Sequence, residues 1–172
     1  MGAKRIHTVG GSGSGTSTLG HELGSALSYR WLDADDFFWE PTDPPYTTKR
    51  AKPERLALLS AAIADDGWVL SGSVAQWHDD IENSFDAVIF LFVPPDIRLQ
   101  RLRDRETARA DDPVFVAFME WAARYDTAGL EMRSLALHEK WLAERRCPVL
   151  RIEGTPTRDE SLRLSLEFLD GI

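Results

Sequence analysis

The sequence predicts an α/β fold in one domain, with parallel strands joined by helices that cover both faces of a central sheet. Three observations carry this prediction. Short apolar, β-rich runs alternate with longer amphipathic runs along the whole chain. A glycine and serine stretch stands between the first β-rich run and the first helical one. The chain has 172 residues, 43% hydrophobic and 28% charged, enough for one continuous core and too few for two ordinary domains.

Lys4 to Val9 is a short β-rich run, and Gly10 to Gly15 follows it. A helix is expected from Thr16 to Ser28, because Leu19, Leu23, Ala26 and Leu27 fall on one face. Tyr29 to Asp33 reads as a second strand ending in acids, and the proline-rich stretch Glu40 to Tyr46 as a loop. Pro53 suits the first turn of a helix carrying Leu56, Leu59, Ala62 and Ile63, which stops at Gly67. Trp68-Val69-Leu70 is a third strand, short and continuously apolar as a strand buried on both faces should be. Ala87 to Val93 is the clearest strand, ended by Pro94-Pro95, and a helix with Ile97, Leu99 and Leu102 follows. Val149 to Ile152 is a fifth strand, and Ser161 to Leu169 closes the chain as an amphipathic helix. Ligands of such folds bind beyond the carboxyl ends of the strands. That rule places Gly10 to Gly15, Asp33 to Asp36, Ser71 to Ser73 and Pro94 on one rim.

A net charge of -8 argues against a protein that grips nucleic acid through a basic face, although local arginine clusters can still hold a phosphorylated small molecule. Cys147 is the only cysteine, so no internal disulfide and no cysteine-based zinc site can form. No apolar run approaches a membrane span, and the first strand starts too early for a signal peptide. The expectation is a cytoplasmic chain with no membrane and no nucleic-acid partner.

Gly10-Gly11-Ser12-Gly13-Ser14-Gly15-Thr16-Ser17 has the spacing G-x-x-x-x-G-K-[ST] of a phosphate-binding loop, with Thr16 where lysine is usual. The chemistry needs glycines because the backbone must wrap an anion with its N–H groups pointing inward. The helix that follows offers its N-terminus to the same anion, so the cradle extends over Thr18. Ser17 would supply the hydroxyl that holds magnesium. A Gly-Ser run is otherwise a flexible linker, but a linker does not separate a strand from an amphipathic helix at the start of an α/β pattern. Threonine cannot neutralise the β and γ phosphates, so another cation substitutes or turnover is poor; Lys49, Arg50, Arg101, Arg105 and Arg133 are the candidates.

With these residues placed, the chain resembles the adenylate kinase and shikimate kinase group of P-loop phosphotransferases. It is also similar to small bacterial topology modulation proteins through the acidic-aromatic stretch Leu32 to Glu40. The likeness rests first on the loop and next on Phe85-Asp86-Ala87-Val88-Ile89-Phe90 running into Arg101-Leu102-Arg103-Asp104-Arg105. It implies a P-loop NTPase fold with a five-stranded parallel sheet, an acceptor region over 36–66, a small lid over 106–132, and magnesium-ATP (Mg2+ and ATP) as phosphoryl donor. It further implies that Arg101 and Arg105 contact the donor phosphates and that Arg133 is the arginine on which the lid closes. Asp33-Ala34-Asp35 stands where the group carries a D-x-D serving acceptor and magnesium. The third strand ends in Ser71-Gly72-Ser73 without an acid, which assigns the magnesium role to Asp33.

Other readings accompany several of these residues. Asp33, Asp35 and Asp36 also suit a solvated turn and helix cap. Lys49, Arg50 and Arg55 lie where the group binds its acceptor, and arginine suits a phosphate, but a solvated helix start fits them too. Ser71, Gly72 and Trp77 are expected near the acceptor by their place after the third strand. Phe115, Phe118, Trp121 and Tyr125, three to four apart, read as a packing stripe within the lid. Arg98 shares a helical face with Arg101 and Arg105, and His138 receives no role. The function expected is an ATP-dependent phosphotransferase acting on a small-molecule or nucleotide acceptor. The alternative is a nucleotide-binding or sensing protein with weak or no catalysis.

Overall fold

In the computed structural model, residues 2–65 and 67–172 are described; residue 66, the last of the expected acceptor region, lies outside them. Five strands are present: β1 (Arg5–Gly10), β2 (Arg30–Asp33), β3 (Trp68–Ser71), β4 (Ala87–Phe92) and β5 (Val149–Glu153). They form one sheet in the order β2-β3-β1-β4-β5, and every neighbouring pair is parallel. The five-stranded parallel sheet expected from the sequence is present, and parallel pairing puts all five carboxyl ends on one rim.

The helices are α1 (Thr16–Leu27), α2 (Ala34–Phe38), α3 (Lys52–Ala62), α4 (Asp79–Glu82), α5 (Pro95–Arg105), α6 (Pro113–Ala123), α7 (Leu135–Ala143) and α8 (Arg158–Asp170). Side chains alternate along the strands, and each set is covered. On one face Val9, Trp68, Leu70, Val88 and Phe90 pack with Leu59 of α3 and with Trp141 and Leu142 of α7. On the other, Ile6, Val69, Ala87, Ile89 and Leu91 meet Leu19 and Leu23 of α1 and Leu169 of α8. Gly20 lets α1 lie close to the sheet, since a Cβ there would collide with the Ser71 hydroxyl.

Pro53 and Pro95 occupy the first turns of α3 and α5, where the missing N–H removes no hydrogen bond. Segment 106–132 folds as a 3-10 turn over Thr107–Arg109 and then α6. Of the aromatic stripe, Phe115 and Phe118 meet with tilted rings and Phe118 stacks on Trp121 along α6, while Phe115 and Tyr125 are buried. Three helices escaped the sequence reading, among them the four-residue α4. Helix α2 spans five residues, too few for a period, and α7 places His138 in the core.

Candidate active site

The phosphate loop leaves the carboxyl end of β1, at the middle of the sheet. Gly13 and Gly15 have φ of 83° and 97°, a left-handed backbone that side chains disfavour. Gly15 precedes α1, and no side chain among the described residues caps the helix, so its first-turn N–H groups carry no side-chain partner. Ser14 is buried, and its hydroxyl has no hydrogen-bond partner among the described residues. A helix start without a side-chain cap beside a buried, unsatisfied hydroxyl fits an anion at this place.

Asp33 ends β2 beside that loop. Its Oδ1 accepts from the Asp35 N–H and so caps α2, while its Oδ2 accepts from the Ser17 hydroxyl at 3.1 Å. The helix-cap reading and the site reading of Asp33 therefore coexist on its two oxygens. Among the described residues no three His, Cys, Asp or Glu gather as a metal cluster. Magnesium does not require one, since it keeps waters and binds through one or two protein oxygens plus phosphate. The hydroxyl of Ser17 and the carboxylate of Asp33 are such a donor set.

Asp35 lies further into the rim. Burial raises its carboxyl pKa; Arg133 opposes the rise, Asp33 and Asp36 reinforce it, and Arg105 opposes it. Asp35, Arg133 and Arg105 thus share one electrostatic neighbourhood, although they are far apart in sequence. The Arg133 guanidinium also sits 5.5 Å over the Trp121 ring. Arg101 reaches the Gly13 carbonyl with Nη1 at 3.5 Å, at the edge of the loop.

The acceptor-side residues divide. The Arg55 guanidinium lies 4.4 Å from the Trp77 ring centroid and 4.8 Å from that of Phe38. Its Nε is buried without a hydrogen-bond partner among the described residues, and burial lowers its pKa. Lys49 is exposed, with Nζ 5.9 Å over the same Phe38 ring. Trp77 is buried and serves as the platform for Arg55.

Two expected contacts require correction. Arg50 is bound to its own chain: Nε donates to Phe37 O, Nη2 to Trp39 O and Nη1 to Glu54. With these donors committed it braces the end of α2. Ser71 is fully buried, and its hydroxyl exchanges hydrogen bonds with Thr8, Trp31 Nε1 and Thr16 O. It ties β3 to the start of α1 and does not face a ligand. Gly72 forms the turn after it, with φ 95°.

Several neighbours were not foreseen. Tyr46, on the proline loop, feels Asp35, Asp33 and Asp36; burial first and then these carboxylates raise its pKa. Its loop is held by Thr42 and Thr47, whose hydroxyls each lie 3.0 Å from Pro44 O and 3.0 Å from each other. Beneath the phosphate loop, buried Arg98 donates to Val93 O, Ser12 O and Asp126. Tyr125 stacks on Arg98 and shares a 2.8 Å hydrogen bond with His138 Nδ1, whose Nε2 pairs with the Ser73 hydroxyl at 2.9 Å. Burial holds the His138 pKa down to about 3, so the ring is neutral. The spacing of Arg98, Arg101 and Arg105 along α5 was the one sequence signal for this layer.

A glycine loop before an uncapped helix, at the centre of a 2-3-1-4-5 parallel sheet, is an α/β arrangement that matches the fold of solved P-loop kinases. Solved structures share that fold along nearly the whole chain. A shikimate kinase from Acinetobacter baumannii in complex with shikimate superposes with a TM-score of 0.60 at 19% identity, covering 98% of this chain and 94% of that one. A gluconokinase from Sinorhizobium meliloti 1021 gives 0.59 at 17% identity, covering 98% and 92%. No protein-family profile matches the sequence. The sequence is 43% identical over 176 residues to the uncharacterized protein YqaC of Bacillus subtilis (strain 168), covering 96% of this chain and 97% of that protein. The chain belongs to the YqaC family.

Proposed function

We propose that this protein is an ATP-dependent kinase of a small hydroxylated acceptor that carries a negative group. The observation that supports it most is the Ser17–Asp33 contact, which joins the phosphate loop to the acidic end of β2. Donor and acceptor machinery thereby share one rim. The loop amides over Gly10–Thr18 hold the donor phosphates, and Ser17 and Asp33 hold magnesium, which neutralises charge on those phosphates when bound. Arg101 and Arg105 on α5 approach the donor from the lid side, and Arg133 balances Asp35.

Asp35 is the acceptor-side carboxylate. It orients the attacking hydroxyl and takes its proton as the bond to phosphorus forms. Arg55, seated over the two adjacent rings of Trp77 and Phe38 and lacking an acidic partner among the described residues, receives the negative group of the acceptor, with exposed Lys49 beside it. Catalysis is then mainly positioning and charge stabilisation. We also place the protein in the cytoplasm; among the described residues no helix is long and apolar enough to cross a membrane.

The test is an acceptor screen with γ-labelled ATP and magnesium over nucleosides, nucleotides and hydroxy acids. Transfer to an anionic acceptor, lost in Asp35→Asn and weakened through KM in Arg55→Gln, is the expected result. Tight ATP binding with no transfer to any member of the set would leave a nucleotide sensor instead, the reading that Thr16 favours.

A further inference from the structure

The loop lacks a lysine at its mouth, yet it does not lack a cation. Arg98 of α5 lies directly under it, 1% exposed. A Cβ added to Gly11 would stand 3.2 Å from the Arg98 Cζ, and one added to Gly13 would stand 2.5 Å from the Arg98 carbonyl oxygen. Gly13 is therefore spent on contact with this residue, and Gly11 on contact with it and with the Tyr125 ring, which is nearer at 3.0 Å. The Nη1 of Arg98 donates to the Ser12 carbonyl at 3.1 Å, which pulls that carbonyl below the loop. A peptide group with its oxygen drawn inward and down cannot present that oxygen to a phosphate. The guanidinium face rests on the Tyr125 ring at 4.8 Å.

The counter-charge is on another nitrogen. Nη2 donates to Asp126 Oδ2, while Asp126 Oδ1 is buried with no hydrogen-bond partner among the described residues. Asp126 is thus held in place through Arg98 itself. Asp126 and Tyr125 lie between α6 and α7, so the charge under the loop is set from within the expected lid segment.

We propose that Arg98 is the loop's substitute cation: from beneath the backbone it supplies the positive potential that lysine would supply from above, and Asp126 sets how much of that potential reaches the phosphates. Arg98 touches no phosphate, so it is a positioning and charge-supplying residue and not a catalytic one. This inference rests on the loop binding a nucleotide's phosphates. In a buried place a full charge under the loop is weakly screened, and its partial cancellation by Asp126 leaves affinity that a single change can release.

The experiment is calorimetric titration of magnesium-ATP and of pyrophosphate into wild type, Asp126→Asn, Arg98→Met and Arg98→Met with Thr16→Lys, each with a thermal melt. Asparagine keeps an acceptor for Nη2 while removing the negative charge. Asp126→Asn is expected to bind both ligands about tenfold more tightly even as its melting temperature falls. Arg98→Met is expected to lose about tenfold or more, and Thr16→Lys in that background to restore it. A purely structural Arg98 gives the opposite sign for Asp126→Asn, weaker binding together with lower stability, and that result overturns the proposal. Equal binding by Asp126→Asn and wild type overturns it as well. Where Arg98→Met does not fold, the sign of the Asp126→Asn effect decides alone. Failure of wild type to bind either ligand removes the phosphate-loop reading itself, an outcome separate from the other two.

Discussion

His7 and His138 are both fully buried, and burial lowers both pKa values to about 3. His7 hands its Nδ1 proton to the Leu70 carbonyl at 2.9 Å and stacks on Phe85 with centroids 4.5 Å apart. In the unfolded chain each ring titrates near its ordinary value of about 6.5, so below that pH the unfolded state binds protons that the folded state refuses. Stability is therefore full above about pH 6.5 and falls as the pH drops toward 3, by at most about 1.4 kcal/mol per pH unit for each histidine. Urea unfolding at pH 7 and pH 5 checks this. The loss between the two is expected to shrink by about half in His138→Gln, and an unchanged loss contradicts the assignment. Neither ring's role was legible in the sequence. His138 lies 13 residues from Tyr125 and 65 from Ser73, and a solitary histidine carries no period or spacing that names such partners. Gly10 to Ser17 was legible as the turn between β1 and α1 because its signal is local, a glycine-rich run of consecutive residues.

Helix α1 joins the loop to the core, and its place depends on Gly20. Thr8, Ser71 and Trp31 form a hydrogen-bonded cluster under its first turns, and both hydroxyls bond to the Thr16 carbonyl. Gly20→Ala drives a methyl into the Ser71 hydroxyl and must lift the helix. We expect a loss of about 1–3 kcal/mol, as overpacking usually costs, read as a lower urea midpoint. Because the displaced turn carries Ser17, phosphate affinity is expected to fall with stability. An alanine variant as stable as wild type, where helix propensity alone would favour alanine, shows that the helix does not rest on this cluster. The elements best read from sequence were those whose signals were continuous, namely the apolar run of β4 and the faces of α1, α3 and α8. Helix α7 was missed because its buried side includes His138, and its cap, Ser134 accepting from Leu137 N–H, lacks the glutamate of a full capping box. Arg50 was misread because a cation after a proline loop looks free until the carbonyls of α2 are brought to it by the fold.

Across the molecule the charge is uneven in a way that composition hides. The chain carries -8 overall, yet Arg55, Arg98, Arg101, Arg105 and Arg133 converge from α3, α5 and the segment before α7 toward the carboxyl ends of the strands. An acidic body repels a polyanion, while arginines set beside Asp33, Asp35 and Asp36 on the rim can still draw a small anion into one place. Such a rim makes ligand binding a property of the whole fold, because phosphate bound there bridges β1, α1 and α5 and stabilises only the native arrangement. At 100 times its dissociation constant a ligand adds about 2.7 kcal/mol, which for a domain of this size raises the melting temperature by about 5–10 °C. We expect ATP to produce such a shift and magnesium to enlarge it. In Ser17→Ala with Asp33→Asn the enlargement is expected to vanish while the shift with ATP alone persists, since the amides remain and only the oxygen donors are gone. Loss of both shifts together means that Asp33, as cap of α2, supports the loop's shape. Persistence of both moves the magnesium site away from Ser17, and with it the division of labour between loop and β2.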